Sequence, residues 1–355
     1  MRVSRFIPAA LLGVVAAVLV VPSQAASASP PAVAAAAAAA PASTITSCGI
    51  GSADAVSSVS GTIRGASSGC YADRSIKFFW HQGGISAVQK SPYRGDVLAT
   101  AYDGDSYTYV VYVDVSKKLR LGRMSDSGKA TQSVVLSAAN SYFTADLVAA
   151  HGKYWVVWSE QVGSTGQQEL FARRTLNGAK GKTRITTTSS NVQDYEPSVA
   201  YSAGRLTLVW TRGTTTGSDL RVARSTGGSW AASTFASTGK FNSNADVAIA
   251  AGKTYVVWTR DGKIVLRDNS GGAYRSKQFG TPSWNAPSVA VSAGKVYVSW
   301  TLDSPEQVYL ARKVSGTWQG KVVNAGPAAA ISAVAAGGSG QVVYKTPRVI
   351  AVVGF

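Results

Sequence analysis

The sequence predicts an all-β chain: a six-bladed β-propeller, with seven blades if residues 44–79 hide a degenerate one, and with N- and C-terminal strands completing one blade. Three observations predict it. The stretch Ser288 to Trp300, SVAVSAGKVYVSW, sets a small polar residue, a glycine six positions on and a large aromatic six further. Asp146, Gly152 and Trp158 repeat that spacing, as do Ser198, Gly204 and Trp210, then Asp246, Gly252 and Trp258, then Ser332, Gly338 and Tyr344; a looser copy runs from Asp96 to Tyr112. Second, the closing aromatics stand 42 to 52 residues apart, a period that belongs to an array of small sheets and not to one irregular core. Third, the segments Tyr154 to Trp158, Thr254 to Trp258 and Lys295 to Trp300 are apolar on both alternating faces, as strands covered from both sides must be.

Taken in order, Met1 to about Ala28 reads as a secretory signal peptide. It has Arg2 and Arg5, an apolar run from Ala9 to Val21, and small residues at Ser23-Gln24-Ala25 and Ala26-Ser27-Ala28 where a peptidase would cut. The run is short for a bilayer span, and no later stretch approaches one, so a secreted, extracellular protein is expected with no membrane span. Residues 29–43, rich in Ala and Pro, read as a linker. Cys48 and Cys70 are the only cysteines. In an exported chain they are expected to pair, closing a segment over 44–79 and stabilising it by about 3 kcal/mol; a reactive thiol is the alternative.

The propeller itself is placed at 80–355. Trp80 precedes Asp96 by the interval that separates Trp230 from Asp246, so Trp80 and the strand from Ile85 are expected to close a blade whose other strands come from the C-terminus, including Arg348 to Val353.

Lys and Arg number 35 against 18 Asp and Glu, and loss of Arg2 and Arg5 with the leader would leave the chain at about +15. The basic residues are scattered through every repeat. That pattern favours a general attraction to polyanions over a dedicated nucleic-acid groove, which needs clustered cations interleaved with stacking aromatics.

A second signature lies on the third strand of each unit: LRVARSTGGSW from Leu220, VYLARKVSGTW from Val308, and looser copies from Leu119 and Ile264. Here the chain resembles the bacterial neuraminidase repeat, the sialidase-like propeller unit in which a strand runs into an Asp-box turn. The resemblance covers about 80–355 and implies a fold more than an activity. Only Asp126 stands where the family's aspartate would. The repeated Arg123, Arg173, Arg224, Arg267 and Arg312 are expected to serve the scaffold, and Trp230 and Trp318 to plug the blades.

Function in such a fold sits where the repeats differ at one end. Two residues past the closing aromatics stand Asp114, Glu160, Arg212, Arg260, Leu302 and Thr346. At the start of the first strands stand Arg94, Asp96, Asp146, Asp194, Tyr195, Glu196, Asn244, Asp246, Trp284 and Asn285. Carboxylates and amides exchange hydrogen bonds with hydroxyls, and Tyr195 or Trp284 would stack on a pyranose face, so Asp114, Glu160, Tyr195, Arg212, Arg260 and Trp284 are the candidate ligand-binding set. An ordinary polar rim of salt bridges explains the same residues equally well.

The resemblance also implies what a sialidase would need: three arginines, a Tyr and Glu pair, an Asp acid, and a Phe or Tyr, Arg, Ile, Pro motif. RFIP occurs only at Arg5 to Pro8, inside the export signal. Glu160, Arg212, Arg260 and Glu196 are the candidate catalytic residues, and two of Asp194, Glu196 and Glu160 would make a carboxylate pair for glycoside hydrolysis if neighbouring blades bring them together. After the leader the chain holds His81 and His151 alone, which argues against a Ser, His, Asp triad or a histidine-rich metal site. GAKGKT from Gly178 imitates a phosphate loop but reads as a hairpin turn, and Asp103-Gly104-Asp105 reads as a turn before it reads as a calcium loop. No cofactor or metal is expected. The reading is a monomeric, non-catalytic propeller that binds glycan or acidic polysaccharide through one rim; the alternative is a divergent exo-acting glycoside hydrolase.

Overall fold

The computed structural model describes residues 43–354 less 47–52, 58–61, 69–73, 83–84, 132, 139–142, 151–152, 164–165, 175–180, 190, 226–229, 237–239, 272, 283–285, 304–305, 324–328, 337–338 and 346–349. The described residues are mostly strand, in a propeller-like arrangement of antiparallel sheets. Cys48, Cys70, His151, Trp284, Asn285 and Thr346 lie outside the described residues, and with them the expected disulfide.

Among the described residues the strands form six sheets. One has seven strands: Ala53–Ser57, Ile63–Ser68, Ser75–Gln82, Ile85–Tyr102, Tyr107–Asp114, Leu119–Ser125 and Val134–Ser137. Four sheets of four strands follow in chain order, beginning at Ala145–Ala150, Gln193–Ser202, Asn242–Ala250 and Ser288–Ser292. The last pairs Ala329–Ala336, Ser339–Lys345 and Ile350–Gly354 with Ser43–Thr46 from the other end of the described chain.

The strand Ile85–Tyr102 pairs twice. Its first half pairs with Ser75–Gln82 and its second half with Tyr107–Asp114. It therefore belongs to two four-stranded groups at once. The expectation that Trp80 and Ile85 complete the C-terminal sheet is corrected: Ser43–Thr46 takes that place, and residues 53–90 build a group of their own. The physical reason lies in IRGASS and SIKFFWHQ. They bury Ile63, Ala66, Ile76, Phe78 and Phe79, so they need sheet neighbours on both sides rather than forming a surface loop.

The first two strands of a sheet form the hairpin that the repeat spells. In three copies the turn is Ala-Gly, at Ala203-Gly204, Ala251-Gly252 and Ala293-Gly294, and both residues have positive φ, between 47° and 79°. That is the two-residue hairpin turn whose twist matches the strands, and it explains the fixed place of the glycine. The closing aromatics Trp158, Trp210, Trp258 and Trp300 are sealed off at 0 to 1% exposure. Each packs into the preceding sheet: Trp210 among Val157, Leu170 and Ala172, and Trp258 among Val209, Leu220 and Val222. A buried indole removes 150–250 Å² from water, worth roughly 4–6 kcal/mol at about 25 cal/mol per Å².

The polar residue that opens the repeat ties each sheet to the next. An Asp146 Oδ accepts the Val199 N–H at 2.7 Å, and an Asp246 Oδ accepts the Val289 N–H at 2.7 Å and the Ser288 hydroxyl at 2.8 Å. Ser198 donates to the other Asp246 oxygen at 3.0 Å, and Asp54 accepts the Thr100 N–H at 2.6 Å. The first strands pack side by side through the series, and Ala329–Ala336 packs on Ala53–Ser57. One copy departs from the sequence reading. Asp146, Ser198 and Asp246 stand opposite Val157, Val209 and Val257; Ala99, not Asp96, stands opposite Val111. The longer turn after Tyr102 and a bulge between Val97 and Ala99 shift the count. Asp96 instead meets Arg74.

The repeated arginines hold sheets together as well. Arg173 and Arg267 donate to the Val135 and Phe235 carbonyls of the preceding sheet at 3.2 and 2.6 Å. Asp126 chelates Arg64, whose guanidinium lies 4.0 Å from the centre of the Tyr102 ring. Asp103 spends one oxygen on the N–H groups of Asp105, Ser106 and Tyr107, which makes the DGDS stretch a side-chain-capped turn.

Candidate functional site

The end of the molecule where second strands finish and first strands begin carries the residues that sequence singles out. The sealed tryptophans decide what those residues do. An indole N–H cannot be buried without an acceptor. Trp158 gives its N–H to Glu160 at 2.9 Å, Trp210 to Asp194 at 2.9 Å, and Trp258 to Asn242 at 3.0 Å. Glu160 also takes the Lys182 ammonium on both oxygens at 2.6 Å, and that ammonium sits 4.1 Å from the centre of the Phe171 ring. Asp194, fully buried, takes Arg212 in a two-pronged pair at 2.7 and 2.7 Å. Those bonds push Arg212 above its ordinary pKa.

Glu160 and Arg212 are thus not brought together as parts of one clamp; each closes a latch within its own sheet. Arg260 pairs with Asn242 and Lys263 along its neighbouring strands and is half-buried. Glu196 has positive φ, 52°, at the bulge before Ser198, where its backbone N–H donates to Thr144 of the preceding sheet at 2.9 Å. Its carboxylate accepts Asn244 N–H of the following sheet at 2.7 Å and the Thr211 hydroxyl at 3.0 Å. Tyr195 is half-buried against Gly213, and burial followed by the Glu196 charge raises its phenol pKa.

Asp114 stands apart from this pattern. It lines a cavity of about 440 Å³ formed where Pro92, Tyr93 and Arg94 cross the hairpin Tyr112 to Arg120 and meet Ala130, Thr131 and Ser133. Tyr93 and Tyr112 form the buried base, stacked at 5.5 Å between ring centres. One Asp114 oxygen accepts the N–H groups of Ser116 and Lys118 at 2.8 and 2.9 Å, and the other accepts the Arg120 Nε. Burial alone would raise the Asp114 pKa, but these hydrogen bonds outweigh it and hold the carboxyl below its ordinary value. Arg120 also reaches Ser133 at 3.3 Å. Arg94 and Val115 are exposed at the mouth, Val115 by 57%. Among the described residues Arg94 has no ion-pair partner.

Sequence reading missed Tyr93 and Arg120 as site residues. The signal available was weak: Tyr93 stands beside Arg94 in the link that enters the second half of Ile85–Tyr102, and no spacing marks Arg120. It also passed over Phe241, 62% exposed, whose N–H and C=O are both fixed by Asp261. Elsewhere His81 is buried with Nδ1 2.8 Å from the Ser86 hydroxyl, and burial lowers its pKa. Among the described residues no three His, Cys, Asp or Glu side chains are gathered as a metal would need, and no helix is long and apolar enough to cross a membrane.

No family model matches the chain, and none of the curated proteins does. Solved structures do. A puromycin-hydrolysing peptidase of Mycobacterium tuberculosis is 15% identical with a TM-score of 0.56, over 90% of this chain and 54% of that one, so the chain spans about half the peptidase's length. The lectin BP39L of Burkholderia pseudomallei is 13% identical with a TM-score of 0.57, over 85% of this chain and 98% of the lectin. A PL25 ulvan lyase, a polysaccharide lyase, is 10% identical with a TM-score of 0.60, over 88% and 95%. At such identities the likeness is one of fold, β-propeller-like, with carbohydrate-related proteins among its neighbours.

Proposed function

We propose that the chain is a secreted, non-catalytic propeller of seven blades that binds glycans or acidic surface polysaccharides. The observation that carries the non-catalytic part is the fate of the carboxylates. Asp194, Glu160 and Glu196, the residues available for acid and base work, are each engaged by tryptophan, arginine, lysine or backbone donors inside the scaffold. Most glycoside hydrolases need two carboxyls facing one substrate bond, and a site of the sialidase kind needs a Glu free to partner a tyrosine. Lectin and lyase neighbours and the excess of Lys and Arg support a glycan or acidic polymer as the partner.

Seven blades follow if Ile85–Tyr102 is divided between two four-stranded groups, and the packing of Ala329–Ala336 on Ala53–Ser57 supports a closed ring. In this reading the leader is removed on export, Cys48 pairs with Cys70, the worn Asp-box turns relate the chain to sialidase-like propellers, and the protein works as a monomer.

The test is a broad glycan array at low and moderate salt, followed by product analysis on every glycan that binds. Selective binding that survives salt without cleavage is expected, because screening removes only the part due to net charge. Turnover of a bound glycan would return the hydrolase alternative, and binding to every polyanion that vanishes with salt would remove the specific site.

A further inference from the structure

We propose that the cavity between Pro92 to Arg94 and the Tyr112 to Arg120 hairpin binds a single anionic pyranose unit, a sugar bearing a carboxylate or a sulfate ester. This rests on the glycan-binding reading and adds to it the place and the charge of the sugar recognised.

Size comes first. A cavity of about 440 Å³ falls within the range of small-molecule sites and is far larger than a lone inorganic anion needs. Its lining is mixed in the way a sugar ring requires. Above the buried Tyr93 and Tyr112, Pro92, Val115 and Ala130 offer apolar surface to the C–H face of a pyranose, while Thr131 and Ser133 offer hydrogen-bonding groups to its hydroxyls.

Charge then selects among sugars. Asp114 has little left for a ligand, since one oxygen serves two backbone N–H groups and the other serves Arg120. What it does is fix the Arg120 guanidinium, held from two sides by Asp114 and Ser133, which leaves Nη2 over. Arg94 stands at the mouth with no carboxylate of its own among the described residues. Two guanidiniums against one committed carboxylate leave a net positive site, in which the planar Arg94 fork matches a carboxylate or sulfate oxygen pair and the Arg120 Nη2 adds one further donor. A neutral sugar would leave Arg94 unused, and a cationic ligand would meet repulsion.

The test titrates the purified chain by NMR at moderate salt with methyl β-D-glucuronide, glucose 6-sulfate and methyl β-D-glucoside. At least one anionic sugar should bind, with the neutral glucoside at least about tenfold weaker. Arg94→Gln should weaken the anionic sugar about tenfold, and Val115→Glu should weaken it further by setting a carboxylate at the mouth. Both positions are exposed, and unchanged thermal melts check that both variants fold. Equal binding of neutral and anionic sugars, or variants that bind like the parent, would overturn the pocket. Should the array show selective glycans while these anionic sugars fail to bind, the pocket falls and the glycan reading stands; should no glycan bind at all, both fall.

Discussion

Replacing Asp146 by Asn should make the chain's stability less dependent on pH. Asp146 lies on a first strand, half-buried, with its carboxyl held by the Val199 and Leu147 N–H groups. Burial, with added repulsion from Asp246 and Asp54, pushes its carboxyl from the usual 3.8 up to about 7, against the opposing hydrogen bonds from the Val199 and Leu147 N–H groups. The carboxyl is thus neutral in the folded chain and ionised in the unfolded chain between pH 4 and 7. Stability contributed by this group is greatest below pH 4, falls as pH rises through that window, and is lowest above pH 7. The rise from 3.8 to about 7 corresponds to about 4 kcal/mol at pH 8, a ceiling because the residue is only half-buried. At pH 4.5 the same linkage costs only about 1 kcal/mol. Asparagine does not titrate, but it has one acceptor oxygen for two N–H donors and loses roughly 1–3 kcal/mol at every pH. The stability of the Asp146→Asn variant relative to the parent should therefore rise by about 3 kcal/mol between pH 4.5 and 8. Urea unfolding at the two pH values reads this directly. A difference that stays constant, or moves the other way, would refute the raised Asp146 pKa.

Other substitutions test the scaffold. Trp210→Ala should cost about 3–5 kcal/mol in urea unfolding, because the indole fills the space against Val157, Leu170 and Ala172 and no neighbour can replace it. Asp194→Ala should cost about 3–5 kcal/mol, since Arg212 and the Trp210 N–H lose their acceptor together; Arg212→Met with Asp194→Asn, which removes both charges, should cost less, and a double-mutant cycle measures the coupling. Gly294→Ala meets open space, so its cost of roughly 1 kcal/mol should come from the positive φ alone, and a larger loss of thermal stability would contradict the assigned turn.

The sheets were legible because their signal is local. Ala-Gly turns and closing tryptophans recur at fixed spacing, and each is dictated by what a hairpin twist and a buried seam demand. Residues 53–90 entered only as the seven-blade alternative because their group lacks both markers: Ile63 to Ser68 ends without a tryptophan, and Gly65, packed under Phe79, breaks its alternation. Asp96 was misplaced for a similar reason, a bulge that no spacing rule reveals. The rim residues were found, yet their partners were not. That Glu160 faces Lys182 and Arg212 faces Asp194 depends on which side chains neighbouring strands point the same way. The cavity beside Asp114 lay further out of reach, since three segments from two strand groups meet to form it.

The pairing of Ser43 with Val352 has a consequence for how the molecule comes to exist. Those residues are separated by roughly 300 positions, and bringing such distant segments together costs on the order of 5 kcal/mol in loop entropy. No local hairpin can offset that before most sheets are in place, so this strand is expected to dock last. Until it does, Ile350–Gly354 presents an open edge, and an early-arriving second chain could fill it with its own Ser43–Thr46. A strand that seals one molecule when it arrives in time becomes, when it arrives late, the means by which two molecules exchange ends.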